Sequence, residues 1–180
     1  PGLSFISAFL GCLYSKIIPA PTYLPYNIKG FERLNLIIQN LQTDYILTEK
    51  SYYEKIKKIF ETDSGINYFH KLKWIFIEDA EEYNPSEIVF SEFDENAPAF
   101  IQYSSGSTAN PKGVVITHNN LFANLNGINS TLNLTPETQC VSWLPPYHDM
   151  GLIGVILNSL YLGAHCILMN PNDFIVNPYK

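Results

Sequence analysis

Three cysteines are all that these 180 residues contain. Cys12, Cys140 and Cys166 are odd in number, sit in apolar stretches and show neither a CxxC pair nor Cys/His ligand spacing. That excludes a disulfide framework and a cysteine-based metal site, and it predicts small buried hydrophobes in a reducing, cytoplasmic compartment. Charge is also scarce. Only 16% of the residues are charged, and eleven Lys plus Arg against seventeen Asp plus Glu give a formal net charge of -6. No basic run is long enough to track a phosphate backbone, so nucleic acid is not an expected partner. Long unbroken apolar runs are missing too. Residues 1–15 are uncharged but fall short of the roughly 20 that a span needs, and no basic region precedes them as in a secretory signal. Residues 150–172 lack Asp, Glu, Lys and Arg, yet Asn158, Gly163 and His165 interrupt them, so no integral membrane segment is expected.

What is present builds a core: 46% hydrophobic and 14% aromatic residues exclude a disordered chain. Short apolar runs alternate with helical patterns. Phe5, Phe9 and Leu13 space a buried helix over 3–14; Leu34, Ile37, Ile38 and Leu41 space another over 31–41; residues 52–60 read as a charged amphipathic helix. Leu121, Leu125 and Ile128 mark a further helix, with Thr117 or Asn119 as its N-cap, and 150–162 reads as a helix ended by Gly163. Strands are predicted at 44–48, 74–77, 99–103, 114–117, 140–144 and 165–169, and 78–96 reads as an acidic surface loop. Near-continuously apolar strands alternating with helices predict an α/β fold, a mostly parallel sheet covered by helices. In such sheets, ligands gather at loops beyond the carboxyl ends of strands.

Two loops carry unusual chemistry. The first is Tyr103-Ser-Ser-Gly-Ser-Thr-Ala-Asn-Pro-Lys-Gly113, between two strands. Hydroxyls around a glycine, N–H donors and one cation suit a polyphosphate, although a surface hairpin has the same composition. A Walker A loop needs Gly before its Lys, Ser or Thr after it and then a helix; here Pro111 precedes Lys112, Gly113 follows, and a β-branched run continues. A nucleophile elbow needs GxSxG, which is absent. The second loop is Trp143-Leu-Pro-Pro-Tyr-His-Asp-Met-Gly-Leu-Ile-Gly154, opening an apolar helix. Its His148-Asp149 pair fits a catalytic dyad, a metal site, or an Asp149 N-cap with a half-exposed histidine. Sequence-adjacent His and Asp are not expected to face each other.

The first loop resembles the phosphate-loop signature of the adenylate-forming (AMP-binding) superfamily, Thr/Ser-Ser-Gly-Ser/Thr-Thr-Gly-x-Pro-Lys-Gly. Every position from Ser104 to Gly113 matches except Ala109, where the family usually has Gly. The second resembles the superfamily's histidine motif, in wording closest to fatty acyl-AMP ligases and long-chain fatty acyl-CoA synthetases. Residues 1–14 and 18–21 look like the opening helix and strand of the same subfamily. The resemblance implies part of the large N-terminal domain of an acyl-adenylating enzyme, spanning 1–180 and truncated at both ends. It implies ATP and Mg²⁺, with Ser104, Ser105, Gly106, Ser107, Thr108 and Lys112 at the β- and γ-phosphates and Thr108 also toward the metal. His148 and Gly151 fall at the acyl end, and Lys112 and His148 are the expected catalytic residues. A fatty acid is the implied substrate, with an acyl carrier protein or CoA as acceptor. The family's adenine, ribose, hinge and C-terminal lysine elements are not within 1–180. The fragment alone is therefore expected to be inactive, and the rival expectation is a decayed, non-catalytic nucleotide- or acyl-binding module.

Overall fold

The structure, a computed structural model, describes residues 2–62, 64–80, 94–104 and 111–176. The chain forms two compact units, each drawn from separate stretches of sequence.

One unit comprises Thr22–Glu92 and Tyr103–Val114. Helix α2 (Ile28–Leu41) starts three residues earlier than its apolar spacing predicts, because Asn27 caps it: the side-chain oxygen accepts the Gly30 N–H at 2.9 Å. Gly30, Phe31, Leu34, Ile37 and Ile38 form its buried stripe. Phe31, Leu34 and Ile38 pack with Ile56 of α3 (Lys50–Thr62) and with Phe69 and Leu72, the Phe31 and Phe69 rings meeting edge to face at 5.1 Å. A 3-10 turn over Ser64–Lys71 leads into β2 (Lys73–Phe76), which pairs in parallel with β1 (Tyr45–Thr48). The start of α3 is held by a carboxylate, since the Lys50 N–H donates to both Glu78 oxygens at 3.0 and 3.1 Å. An anion there complements the helix dipole. Most of the predicted 78–96 loop lies outside the described residues.

The other unit comprises Pro1–Pro21, Phe93–Gln102 and Val115–Lys180. Helix α1 spans Leu3–Tyr14 as its spacing predicts, but it is not buried all round. Phe9 alone is buried in it, beside partly buried Phe5, Leu10 and Leu13. Phe9 meets Phe100 of β3 (Pro98–Ser104) edge to face at 5.5 Å. Leu121 and Leu125 of α4 (His118–Leu132) and Leu152 and Leu157 complete that core. Of the two candidate caps, Thr117 is the one used. Its hydroxyl accepts the Asn120 N–H at 3.1 Å while the Asn120 carbonyl accepts the Thr117 N–H at 3.2 Å, a reciprocal capping box.

Strand β5 (Gln139–Ser142) pairs in parallel with β6 (His165–Leu168), as β1 does with β2. Strand β4 (Lys112–Thr117) pairs with β3. The predicted strand at 140–144 ends early, at Ser142. That buried residue's hydroxyl accepts the Leu144 N–H at 3.1 Å and turns the chain out of the ladder before Pro145. The apolar segment beyond it is a π-helix over Met150–Leu157 continuing as α5 (Asn158–Leu162). Gly163 ends it at φ 70°, the left-handed C-terminal position its sequence predicts. A short helix α6, Pro171–Val176, follows β6. All three cysteines are half-buried and unbridged rather than fully buried, with Cys140 and Cys166 opposite one another across β5 and β6. Burial pushes the Cys12 and Cys166 thiols up.

Candidate functional site

The site residues read from the sequence fall into two groups, one in each unit. In the first, Ser104 ends β3 and Lys112 begins β4, and the two strands are hydrogen-bonded neighbours. Both residues are exposed. Ser105, Gly106, Ser107, Thr108 and Ala109 lie outside the described residues. The end of β3 is mounted on α2 at two points. Arg33 Nη2 donates to the Ser104 carbonyl oxygen at 2.7 Å, and the Tyr103 hydroxyl donates to Asn40 Oδ1 at 2.5 Å. Tyr103 is buried, and burial pushes its phenol above the ordinary tyrosine range, so the hydroxyl remains a donor at neutral pH. An ammonium group and a hydroxyl on paired strands suit phosphate oxygens.

The second group is the turn from Leu144 to the π-helix. Two backbone hydrogen bonds set it, His148 N–H to Pro145 O at 3.1 Å and Leu152 N–H to His148 O at 2.7 Å. Against expectation, the adjacent His148 and Asp149 side chains face each other, Nδ1 to Oδ1 at 2.6 Å. Asp149 begins the helix already in helical geometry (φ -52°, ψ -46°), with its Oδ1 also accepting the Met150 N–H at 2.7 Å. That helical backbone swings the carboxylate back toward the imidazole. His148 Nδ1 is engaged within the turn, by Asp149 Oδ1 and by the Met150 N–H at 3.4 Å. The side chain is 56% exposed, so the other ring nitrogen, Nε2, is the one left for a ligand.

Gly151 is buried, and a Cβ there would lie 2.2 Å from the Pro145 carbonyl oxygen. The space it leaves is taken by the backbone of its own turn. A Cβ on Gly154 would meet nothing within 4 Å. Gln102 Nε2 donates to the Tyr147 carbonyl at 3.1 Å, tying β3 to this turn, while its buried Oε1 has no hydrogen-bond partner among the described residues. Trp143 stacks on Phe174 of α6, rings 3.9 Å apart and 5° from parallel.

Arg33, Asn40 and Gln102 escape sequence reasoning because their partners are 71, 63 and 45 residues away. One signal was available: Arg33 is the only arginine in the sequence. Among the described residues, no three or more His, Cys, Asp or Glu converge as a metal site, and no helix is long and apolar enough to cross a membrane.

Comparison with known proteins places these elements in a family. The model of the AMP-binding enzyme family matches residues 1–178, so the chain belongs to the AMP-binding enzymes. Among its relatives, the medium-chain-fatty-acid–[acyl-carrier-protein] ligase JamA of Moorena producens is 34% identical over 99% of this chain and 30% of its own length. The long-chain-fatty-acid–AMP ligase FadD32 of Mycolicibacterium smegmatis is 32% identical over 99% of this chain and 28% of its own. A crystal structure of the fatty acyl-adenylate ligase from L. pneumophila, in complex with acyl adenylate and pyrophosphate, superposes with a TM-score of 0.84 at 40% identity. It too is matched over 99% of this chain and 30% of its own length. The chain thus spans about a third of the relatives it matches, and its α/β fold is that of their N-terminal domain.

Proposed function

We propose that the full-length protein activates a fatty acid with ATP. A carboxylate oxygen attacks the α-phosphorus, the bond to the bridging oxygen of the leaving group breaks, and acyl-adenylate and pyrophosphate are the products. The acyl group then passes to a carrier-protein thiol or to CoA. The observation that carries this reading is the hydrogen-bonded strand pair β3–β4, in which Ser104 ends one strand and Lys112 begins the other, with the Ser/Thr/Gly loop between them in sequence. Lys112 and the hydroxyls and N–H groups of 104–108 would hold the β- and γ-phosphates, where negative charge grows as pyrophosphate departs. Thr108 would hold Mg²⁺, which supplies further charge compensation. By resemblance, His148 would serve the acyl-adenylate end through its Nε2, and the missing side chain of Gly151 lets the turn behind it close.

The test is ATP–pyrophosphate exchange with fatty acids of several lengths. The full-length protein should exchange, and residues 1–180 alone should not, because the family's adenine, ribose and lysine elements, which orient the reacting groups, are not within 1–180. A full-length protein that binds nucleotide but activates no carboxylic acid would make the decayed binding module the better reading.

A further inference from the structure

The turn that carries His148 is tied to the fold by an amide from outside it. Gln102 lies on β3, and its Nε2 donates to the Tyr147 carbonyl oxygen at 3.1 Å, across 45 residues of chain. A carbonyl oxygen only accepts, so the amino end of the amide must face it and Oε1 turns the other way. There Oε1 is buried and has no hydrogen-bond partner among the described residues. A buried acceptor left unpaired works against folding. Two residues back on the same face of the strand, Phe100 is 0% exposed, so burial alone favours an apolar side chain at 102. The gain from the amide lies in what its other end holds.

What it holds is the peptide that enters His148. The N–H of that peptide donates to Pro145 O at 3.1 Å and its carbonyl accepts from Gln102. Beyond the residue, the His148 carbonyl accepts the Leu152 N–H at 2.7 Å. Two of these three bonds lie within the turn. The third joins it to a strand that is itself seated, with the Ile101 N–H on Pro19 O at 3.0 Å and the Phe100 ring against Phe9. With Nδ1 engaged by Asp149, the place of Nε2 follows from the backbone at 147–148. We infer that Gln102 is a positioning residue for His148: it fixes the Tyr147–His148 peptide and so sets where Nε2 stands toward the acyl group. The inference rests on the proposed place of His148 at the acyl end, and exchange of the turn's amide hydrogens reports the tether apart from it.

The experiment uses the full-length protein with Gln102→Met, which keeps the length and loses the donor, and Gln102→Glu, which keeps the shape and turns an acceptor on the carbonyl. Fatty-acid and ATP KM values are measured with amide hydrogen exchange over 146–153, and the melting temperature alongside. Both variants should raise the fatty-acid KM by about 2- to 12-fold, the range for one neutral hydrogen bond, while the ATP KM stays within about twofold. Gln102→Glu should be the worse of the two. Exchange of the His148 and Leu152 amides should quicken, since the turn opens more readily. On a His148→Ala background, Gln102→Met should change the fatty-acid KM no further, because the tether acts through that ring; a merely structural residue would add its own loss. Should both variants fail to fold, Gln102→Asn, whose amide is one methylene too short, carries the same expectations. Unchanged amide exchange in a folded variant overturns the proposal, as does an additive loss in the double variant or an equal rise in the ATP KM. It is overturned too if exchange quickens and the fatty-acid KM stays put while His148→Ala alters it. Faster exchange beside a His148→Ala protein that handles fatty acids like wild type would instead overturn the proposed place of His148 and leave the tether standing.

Discussion

An imidazole whose Nδ1 is engaged by a neighbouring carboxylate has one ring nitrogen left to work with, and an ammonium group can only donate. His148 and Lys112 would therefore make different demands on a ligand, the first through a single ring nitrogen, the second for anionic oxygen. In the full-length protein, Lys112→Ala should slow adenylate formation with every acyl chain alike, by about 10- to 150-fold for a charged donor lost from phosphate. His148→Ala should instead alter the fatty-acid KM or the ranking of chain lengths, with a smaller change in the ATP KM. Assays of both variants across short, medium and long fatty acids, with ATP varied separately, check this. If Lys112→Ala shifts chain-length preference and His148→Ala touches only ATP, the two loops have been assigned in reverse. Lys112 stands out in the sequence because a dense local motif surrounds it. The Arg33 contact does not, because a hydrogen bond across 71 residues leaves no periodicity in the sequence.

At the scale of elements, apolar spacing located the described helices and strands well, since burial on one face repeats every third and fourth residue or every second. It failed where local polar chemistry intervenes. Asn27 extends α2 toward the N-terminus, Ser142 stops β5, and the run from Met150 to Leu157 winds as a π-helix that apolar spacing cannot distinguish from an α-helix. The same run contains two glycines of opposite meaning. Gly151→Ala must displace the Pro145 backbone from a 2.2 Å approach and should cost about 1–3 kcal/mol, the range for overpacking. Gly154→Ala meets open space and should be neutral or stabilising by up to about 1 kcal/mol through backbone entropy. Urea unfolding of both variants would show the contrast. Equal effects at the two positions would mean that the turn yields freely to a methyl group, and His148 would then lack a rigid support.

Taken as a whole molecule, the chain leaves much of its apolar sheet surface in water. Val115 is 53%, Val141 56% and Ile167 46% exposed, on strands that form two-stranded sheets among the described residues. Two-stranded pieces of this kind are marginal alone and invite pairing with other chains. The 180 residues in isolation should accordingly self-associate at micromolar concentration and bind an apolar dye, whereas a longer chain carrying the rest of the family domain should do neither. Light scattering and dye fluorescence on the two lengths decide it, and a clean monomer of the short form would contradict the expectation. The division of the chain bears on its birth as well. Unit membership alternates along the sequence, from Pro1–Pro21 to Thr22–Glu92, back at Phe93–Gln102, across again at Tyr103–Val114 and back at Val115. On a ribosome adding about 5–20 residues per second, the 71 residues separating Arg33 from Ser104 take roughly 4–14 s to appear. For those seconds α2 stands in the nascent chain with its guanidinium waiting, and the bond to Ser104 closes only after most of its unit has been made.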